Sequence, residues 1–131
     1  QSNPRGEPGT LRRARGPTLV TGLGAVTPLG IGVSAFVEGL ARARSGVRPL
    51  GFSHAAMESS VAARAEDFSP ESVMPASDAR KLPRLVPMAL AAATEALTES
   101  GWATPAASSA GGEIGLVLGT GGGGIDFVKL K

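Results

Sequence analysis

The apolar residues of the chain fall into short runs that are separated by glycine- and proline-rich segments. The first run is short: Leu19 and Val20 open it, it ends in Gly22 and Gly24, and it predicts a buried strand over residues 17–22. A second such run, over residues 114–118, also leads directly into glycines and predicts another buried strand. A weaker run predicts a short strand over residues 61–65, whereas residues 47–59 show no regular period and are expected to be irregular.

Two segments instead carry apolar side chains at helical spacing. The first predicts a helix over residues 33–44 that is stopped by Gly46 in the left-handed conformation. The second is longer, and its stripe consists largely of alanine, which predicts a packing face that is buried on more than one side. Pro87 is tolerated only in a first turn, so this helix is predicted to begin at Arg84 or Leu85 and to end before Gly101.

Glycine and proline divide the chain into a tail and a folded part. Residues 1–16 hold four arginines against one glutamate among several helix-breaking residues, and they are interpreted as a flexible basic tail or linker. Residues 17–131 form the expected domain, in which Thr27-Pro28-Leu29-Gly30 has the composition of a tight turn between strand and helix. The folded part is close to neutral and poor in aromatic residues, which argues against a nucleic-acid partner.

The composition excludes several kinds of chemistry. The chain has no Cys, so it has no disulfide, no cysteine-based zinc site and no cysteine nucleophile of its own. Its single histidine, His54, cannot form a multi-histidine metal site, and we expect no metal and no cofactor. No uninterrupted run of 18 apolar residues is present, so no membrane-spanning helix is expected.

Two glycine-rich segments suggest a nucleotide-binding α/β fragment as an alternative. In the first, residues 22–27, Thr27 stands where the dinucleotide fingerprint needs its third glycine, and a tight turn is the expected structure. The second, residues 119–124, matches the fingerprint, but four consecutive glycines match many patterns and no Walker lysine follows them. Close approach of the backbone to another chain or to a substrate explains this loop equally well.

Two pairs of carboxylates are further candidates for chemistry. Glu66 and Asp67 are adjacent at the end of a predicted strand, and Glu95 and Glu99 are one helical turn apart on the predicted alanine-rich helix. Neither pair is flanked by a base that could complete a general acid–base system. Both pairs are interpreted as solvated surface groups.

Five segments together carry a family resemblance. Residues 19–30, LVTGLGAVTPLG, resemble the opening of β-ketoacyl-acyl-carrier-protein synthases. Four further segments that are similar to this family follow in the family's order: residues 45–47, 61–68, 89–101 (ALAAATEALTESG) and 114–124 (IGLVLGTGGGG). The resemblance extends over residues 17–128, which is nearly everything but the basic tail.

The resemblance implies an α/β fold of the thiolase-like class, with layers α-β-α-β-α in the complete enzyme and an intimate homodimer. This chain would be the first portion of the N-terminal half. The implied reaction is a decarboxylative Claisen condensation in fatty-acid or polyketide synthesis, between an acyl thioester and malonyl on an acyl carrier protein. The composition would also suit a cytoplasmic bacterial enzyme.

The family's catalytic Cys, its two His and its Lys all follow the glycine loop at distances beyond this chain, so no catalytic role is transferred to any residue here. What the resemblance implies for this chain is a place beside the acyl pocket for Gly121, Gly122 and Gly123. Gly122 corresponds to a position where some elongating members carry a bulkier apolar residue that gates the pocket. A paralogue that has lost the catalytic Cys and acts as a dimer partner remains an open alternative.

Overall fold

The computed structural model describes residues 17–51, 59–102 and 115–121, which contain both helices and strands. The elements, in chain order, are β1 (Val26–Thr27), β2 (Gly30–Ile31), α1 (Val33–Ala41), β3 (Val47–Pro49), β4 (Val61–Ala63), a 3-10 turn (Pro70–Ser72), α2 (Ala76–Ala79) and α3 (Leu85–Glu99). With 15 residues, α3 is the longest element of these segments, and it contacts both β1 and the 3-10 turn.

The strands β1 and β2 form a tight antiparallel hairpin that leads into α1. The Thr27 hydroxyl closes the turn, because it donates to the carbonyl oxygen of Gly30 at 3.0 Å and accepts the N–H of Leu29 at 3.2 Å. The turn that the sequence predicts over residues 27–30 is therefore confirmed, and Gly30 has the positive φ expected of its glycine, 148°.

A second antiparallel pair joins β3 and β4, with Val47 opposite Ala63 and Pro49 opposite Val61. The short strand predicted over residues 61–65 is confirmed as β4, although it ends at Ala63. The prediction of irregular structure from residue 47 onward is wrong at its start, because β3 begins there. Three residues are too few to show a period, so pairing with a distant partner determines this strand. Residues 52–58, which include His54, lie outside the described part of the chain.

Helix α1 confirms the predicted helix but ends three residues earlier, at Ala41. The predicted stop at Gly46 is also wrong, because Ala43 takes the positive φ instead, at 51°. The chain can turn this early because Arg44 donates from its guanidinium to the carbonyl oxygen of Leu29 at 3.2 Å. This bond ties the end of α1 to the β1–β2 turn.

Helix α3 begins at Leu85, as the position of Pro87 predicts, and Gly101 follows its end with a φ of 78°. Its start is fixed by a small core, in which Pro87 is fully buried and Phe68 is 3% exposed. The guanidinium of Arg84 donates to the carbonyl oxygens of Ala65 at 2.7 Å and Phe68 at 3.0 Å, and it lies 5.6 Å from the centre of the Phe68 ring. These three contacts anchor the helix to the segment that follows β4.

Neither of the buried strands that the sequence predicts over residues 17–22 and 114–118 is formed in the described residues. Residues 17–22 and 115–118 belong to no sheet there, and their apolar side chains are open to solvent, with Val20 79% and Val117 96% exposed. A strand requires a hydrogen-bonded neighbour, and neither segment has one in this part of the structure. The alanine-rich face of α3 is likewise only partly covered, so the prediction of burial on more than one side is wrong for this chain.

We expect the 131-residue chain to self-associate in dilute solution, because apolar segments of this kind favour contact with other chains. Leu116 and Leu118, which are 89% and 66% exposed, are two of the exposed apolar residues in these segments. Size-exclusion chromatography with light scattering at several concentrations tests this. Leu116→Lys combined with Leu118→Lys should reduce the association, whereas Leu40→Lys on α1 should not. A monomer that unfolds in a single cooperative transition would contradict the prediction.

Candidate functional site

The first glycine-rich segment, residues 22–25, lies directly against the backbone of α3. A Cβ atom at Gly22 would overlap the carbonyl oxygen of Ala96, and one at Gly24 would overlap the carbonyl oxygen of Ala92. Only residues without a side chain allow this approach. The expectation of a tight turn at residues 22–27 is therefore wrong: the two glycines serve close packing of a strand-like segment on a helix, and the turn follows at β1–β2.

The carboxylates of Glu95 and Glu99 bind the backbone of the same segment. Glu95 accepts the N–H of Ala25 through Oε2 at 3.0 Å and the N–H of Val33 through Oε1 at 2.8 Å. Glu99 accepts the N–H of Leu23 through Oε2 at 2.6 Å. The interpretation as a solvated group is wrong for Glu95, which is half-buried and accepts backbone N–H groups through both carboxylate oxygens. Glu99 is exposed, as interpreted, although its carboxylate also binds the segment.

These contacts form a regular register, which we call the glycine–glutamate zipper: residues 22–25 against Ala92, Glu95, Ala96 and Glu99. Two residues along the segment correspond to four residues along the helix, and the two run in opposite directions. Four helical residues rise about 6 Å, and two residues of an extended chain span about 6.6 Å. The near match explains why glycines alternate with hydrogen-bonded N–H groups along the segment.

Glu95 also caps the N-terminus of α1 from outside that helix. Gly32, which precedes α1, has no side chain that could accept a backbone N–H, and the first turn of α1 contains no acidic residue. Glu95 supplies the missing acceptor for Val33 and places a negative charge at the positive end of the helix dipole. Gly32 has a φ of 91°, and a Cβ there would stand 3.1 Å from Glu95 Oε1.

The zipper argues against phosphate binding at the first glycine-rich segment. A phosphate would need free backbone N–H groups and a helix N-terminus. Here the N–H groups of Leu23, Ala25 and Val33 are already bound to carboxylate oxygens, whose negative charge would repel a phosphate. The nucleotide-binding alternative therefore has no support at this segment.

A different side of α3 forms an apolar groove with the segment that leads to the second glycine loop. The groove has a volume of about 230 Å³ and no polar lining. It is lined by Leu85, Val86, Ala89, Leu90, Ala93, Leu116 and Leu118. Such a lining can hold an alkyl chain or apolar side chains, and it offers no group for catalysis.

The structure describes only the beginning of the glycine loop that the sequence singles out. Gly121 is exposed, and a Cβ placed on it would meet nothing within 4 Å; the same is true of Gly119. Gly122 and Gly123 lie outside the described residues. The predicted pocket-side role of Gly121, Gly122 and Gly123 therefore remains a prediction.

The other candidate groups show no catalytic arrangement. Glu66 is exposed and forms an ion pair with Arg64 at 3.6 Å, and Asp67 beside it is exposed as well, which confirms their interpretation as surface groups. Within the described ranges, His, Cys, Asp and Glu side chains form no group of three or more that could hold a metal ion. None of the helices in those ranges has the length and apolar character needed to cross a bilayer.

Comparison with known proteins identifies the family. The family model described as "Beta-ketoacyl synthase, N-terminal domain" matches residues 16–130. The chain is 31% identical over 112 residues to 3-oxoacyl-[acyl-carrier-protein] synthase 2 of Coxiella burnetii, covering 85% of this chain and 27% of that protein. The protein of the same name from Synechocystis sp. is 28% identical over 112 residues, covering 85% of this chain and 26% of that protein.

A solved structure shows the same relationship in three dimensions. The ishigamide ketosynthase/chain length factor superposes with a TM-score of 0.52 at 31% identity, covering 63% of this chain and 21% of that chain. The described helices and strands therefore belong to an α/β fold of the thiolase-like class, as the sequence predicts. The chain belongs to the β-ketoacyl synthase family and represents part of its N-terminal domain, spanning about a quarter of the length of its curated relatives.

Proposed function

We propose that the complete protein is a β-ketoacyl-acyl-carrier-protein synthase that acts in fatty-acid or polyketide synthesis. The observation that carries this proposal is the family match over residues 16–130, which contains the zipper, the apolar groove and the glycine loop in one continuous stretch. The names of the relatives from Coxiella burnetii and Synechocystis support the reaction class. A cytoplasmic homodimer with the layers α-β-α-β-α and an acyl carrier protein as partner are part of the proposal.

The reaction would be a decarboxylative Claisen condensation. A cysteine thiolate outside these 131 residues takes the acyl group from its carrier as a thioester. Malonyl on an acyl carrier protein loses CO2, and the carbanion that remains attacks the thioester carbonyl. The new carbon–carbon bond forms as the carbon–sulfur bond breaks, and the thiolate is released. Gly121, Gly122 and Gly123 would border the pocket that holds the acyl chain.

Because the catalytic cysteine would lie outside these 131 residues, the proposed role of this chain is structural. Residues 17–131 would form the first portion of the synthase domain, and residues 1–16 would be a flexible basic tail or linker. The start of the family match at residue 16 supports a boundary there.

We expect the 131-residue chain by itself to be inactive in acyl transfer, because it contains no Cys. Intact-mass spectrometry after incubation with an acyl thioester should show the unmodified mass. A synthase relative with its catalytic cysteine is the positive control and should gain the mass of one acyl group. A stable acyl adduct on this chain would contradict the assignment of the nucleophile to a cysteine elsewhere.

A second candidate function is that of a non-catalytic synthase paralogue that serves as a dimer partner. The solved relative is described as a ketosynthase together with a chain length factor, so a two-component arrangement occurs in a protein similar to this chain. Assays of the complete protein with an acyl thioester and malonyl-carrier protein separate the two candidates. A β-ketoacyl product formed by this protein alone favours the enzyme. A product formed only when a second synthase is added favours the partner.

A further inference from the structure

Glu95 joins α3 to two points near the β1–β2 hairpin that lie 70 and 62 residues before it in sequence. Its two carboxylate oxygens bind Ala25, which precedes β1, and Val33, which begins α1, while its own backbone belongs to α3. It therefore holds both ends of the β1–β2 hairpin with one side chain. Glu99 is exposed and binds a single N–H, that of Leu23, so it contributes less to this junction.

The same helix carries the apolar groove on another side. Successive residues of an α-helix are separated by about 100°, so Ala93, two positions before Glu95, points about 160° away from it. Ala93 lines the groove together with Leu116 and Leu118, and this segment continues into the glycine loop at Gly119. Glu95 and the groove residue Ala93 belong to the same continuous helix of 15 residues, so the contacts of Glu95 and one wall of the groove share one element.

We propose that Glu95 is a positioning residue of the synthase: by tying α3 to the backbone at residues 25 and 33, it sets the distance between α3 and the segment that leads into the pocket-side glycine loop. Glu95 does not touch substrate, and its effect passes through α3 and Leu118. The proposal rests on the proposed function, since only a protein that loads acyl groups has an acyl pocket whose shape can change.

The first readout is amide hydrogen exchange in the complete synthase. Glu95→Ala removes both acceptors, so the N–H groups of Ala25 and Val33 should exchange faster by roughly tenfold to a hundredfold, the range for losing a hydrogen bond to a charged group. Glu95→Gln keeps one side-chain oxygen and should protect one of the two amides. Glu38→Gln is the control, because Glu38 is an exposed residue of α1 whose carboxylate forms an ion pair with Arg42.

The second readout is the ratio of long-chain to acetyl loading, measured by mass spectrometry at a temperature where the variant is folded. A structural role alone would reduce both rates equally. A positioning role should change their ratio by roughly two- to thirtyfold, the range observed for coupling through packed elements. Glu95→Gln provides the same comparison if the alanine variant does not fold, and Glu38→Gln should leave the ratio unchanged.

Faster exchange at Ala25 or Val33 together with a changed loading ratio supports the proposal. Unchanged exchange at both amides overturns it, and so does faster exchange with an unchanged ratio. If the unmodified complete protein loads no acyl group, the proposed function fails and the positioning role fails with it. If the unmodified protein loads acyl groups normally and only the ratio is insensitive to Glu95, the positioning proposal alone is wrong.

Discussion

Replacing Gly24 by valine is expected to prevent this part of the protein from folding. A Cβ at position 24 already overlaps the carbonyl oxygen of Ala92, which belongs to the backbone of α3 and cannot turn away as a side chain would. Overpacking in a close-packed site costs about 1–3 kcal/mol. A clash with helical backbone belongs at the upper end of that range, so even Gly24→Ala should cost about 3 kcal/mol.

Urea unfolding of the complete synthase, followed by the soluble yield where a variant is too unstable to purify, measures this effect. Gly22→Ala should behave similarly, because its Cβ would overlap the carbonyl oxygen of Ala96. Gly115→Ala is the matched control. Gly115 lies in the segment that leads into the second glycine loop, and a Cβ there would meet nothing within 4 Å. Equal stability of the Gly24→Ala and Gly115→Ala variants would show that the zipper does not require glycine.

A second large effect is expected at Gly122 in the complete protein, if that protein has the proposed synthase activity. If this residue borders the acyl pocket, as the family resemblance implies, Gly122→Phe fills the mouth of the pocket with a bulky side chain. Each CH2 of a substrate that loses its apolar contact costs about 0.8 kcal/mol. Loading of long acyl groups should therefore fall far more than loading of acetyl, as measured by mass spectrometry with a series of acyl thioesters.

A conformational requirement for glycine would give a different result, and Gly122→Ala separates the two explanations. Pocket blocking predicts a mild loss that increases with chain length. Strain at a positive φ predicts an equal loss for all chain lengths, together with a lower melting temperature. Gly122→Phe would rule out a gating role for this position if it reduced acetyl and long-chain loading equally while the protein stayed folded.

The parts of the fold that the sequence predicts well are those whose cause is local. The turn at residues 27–30 depends on a proline and a glycine that impose their own backbone angles, and it is confirmed. The start of α3 follows from Pro87, which is tolerated only in a first turn. The family resemblance is also confirmed by the match to the family model. This prediction is strong because it rests on the order of five segments rather than on any one pattern.

The parts that it predicts poorly depend on partners that are distant in sequence. The strands predicted at residues 17–22 and 114–118 need hydrogen-bonded neighbouring strands. The described residues of these two segments pair with no strand in the described part of the chain. Strand β3 exists because β4 pairs with it, and its own three residues carry no signal. The early end of α1 depends on a bond from Arg44 to a turn that lies 15 residues away.

The sequence does not reveal the zipper directly, because its two halves are about 70 residues apart. Taken alone, Gly22 and Gly24 indicate a turn or a phosphate loop, and Glu95 and Glu99 indicate a solvated pair. The available signal was a match of spacing: two glycines at i, i+2 on a strand-like segment and two carboxylates at i, i+4 on a helix repeat at nearly the same distance. A carboxylate without a base can bind backbone N–H groups, and this role requires no catalytic partner.

If the complete protein is a condensing enzyme, as we propose, its nucleophile is a cysteine outside these 131 residues, because residues 1–131 contain no Cys. Peptide mapping of the complete protein after incubation with an acyl thioester tests it most directly, because it locates the acyl group. Our account predicts one acyl group on a cysteine outside residues 1–131 and none within them. An acyl group on a residue of this chain, in a protein that goes on to form the β-ketoacyl product, would contradict it.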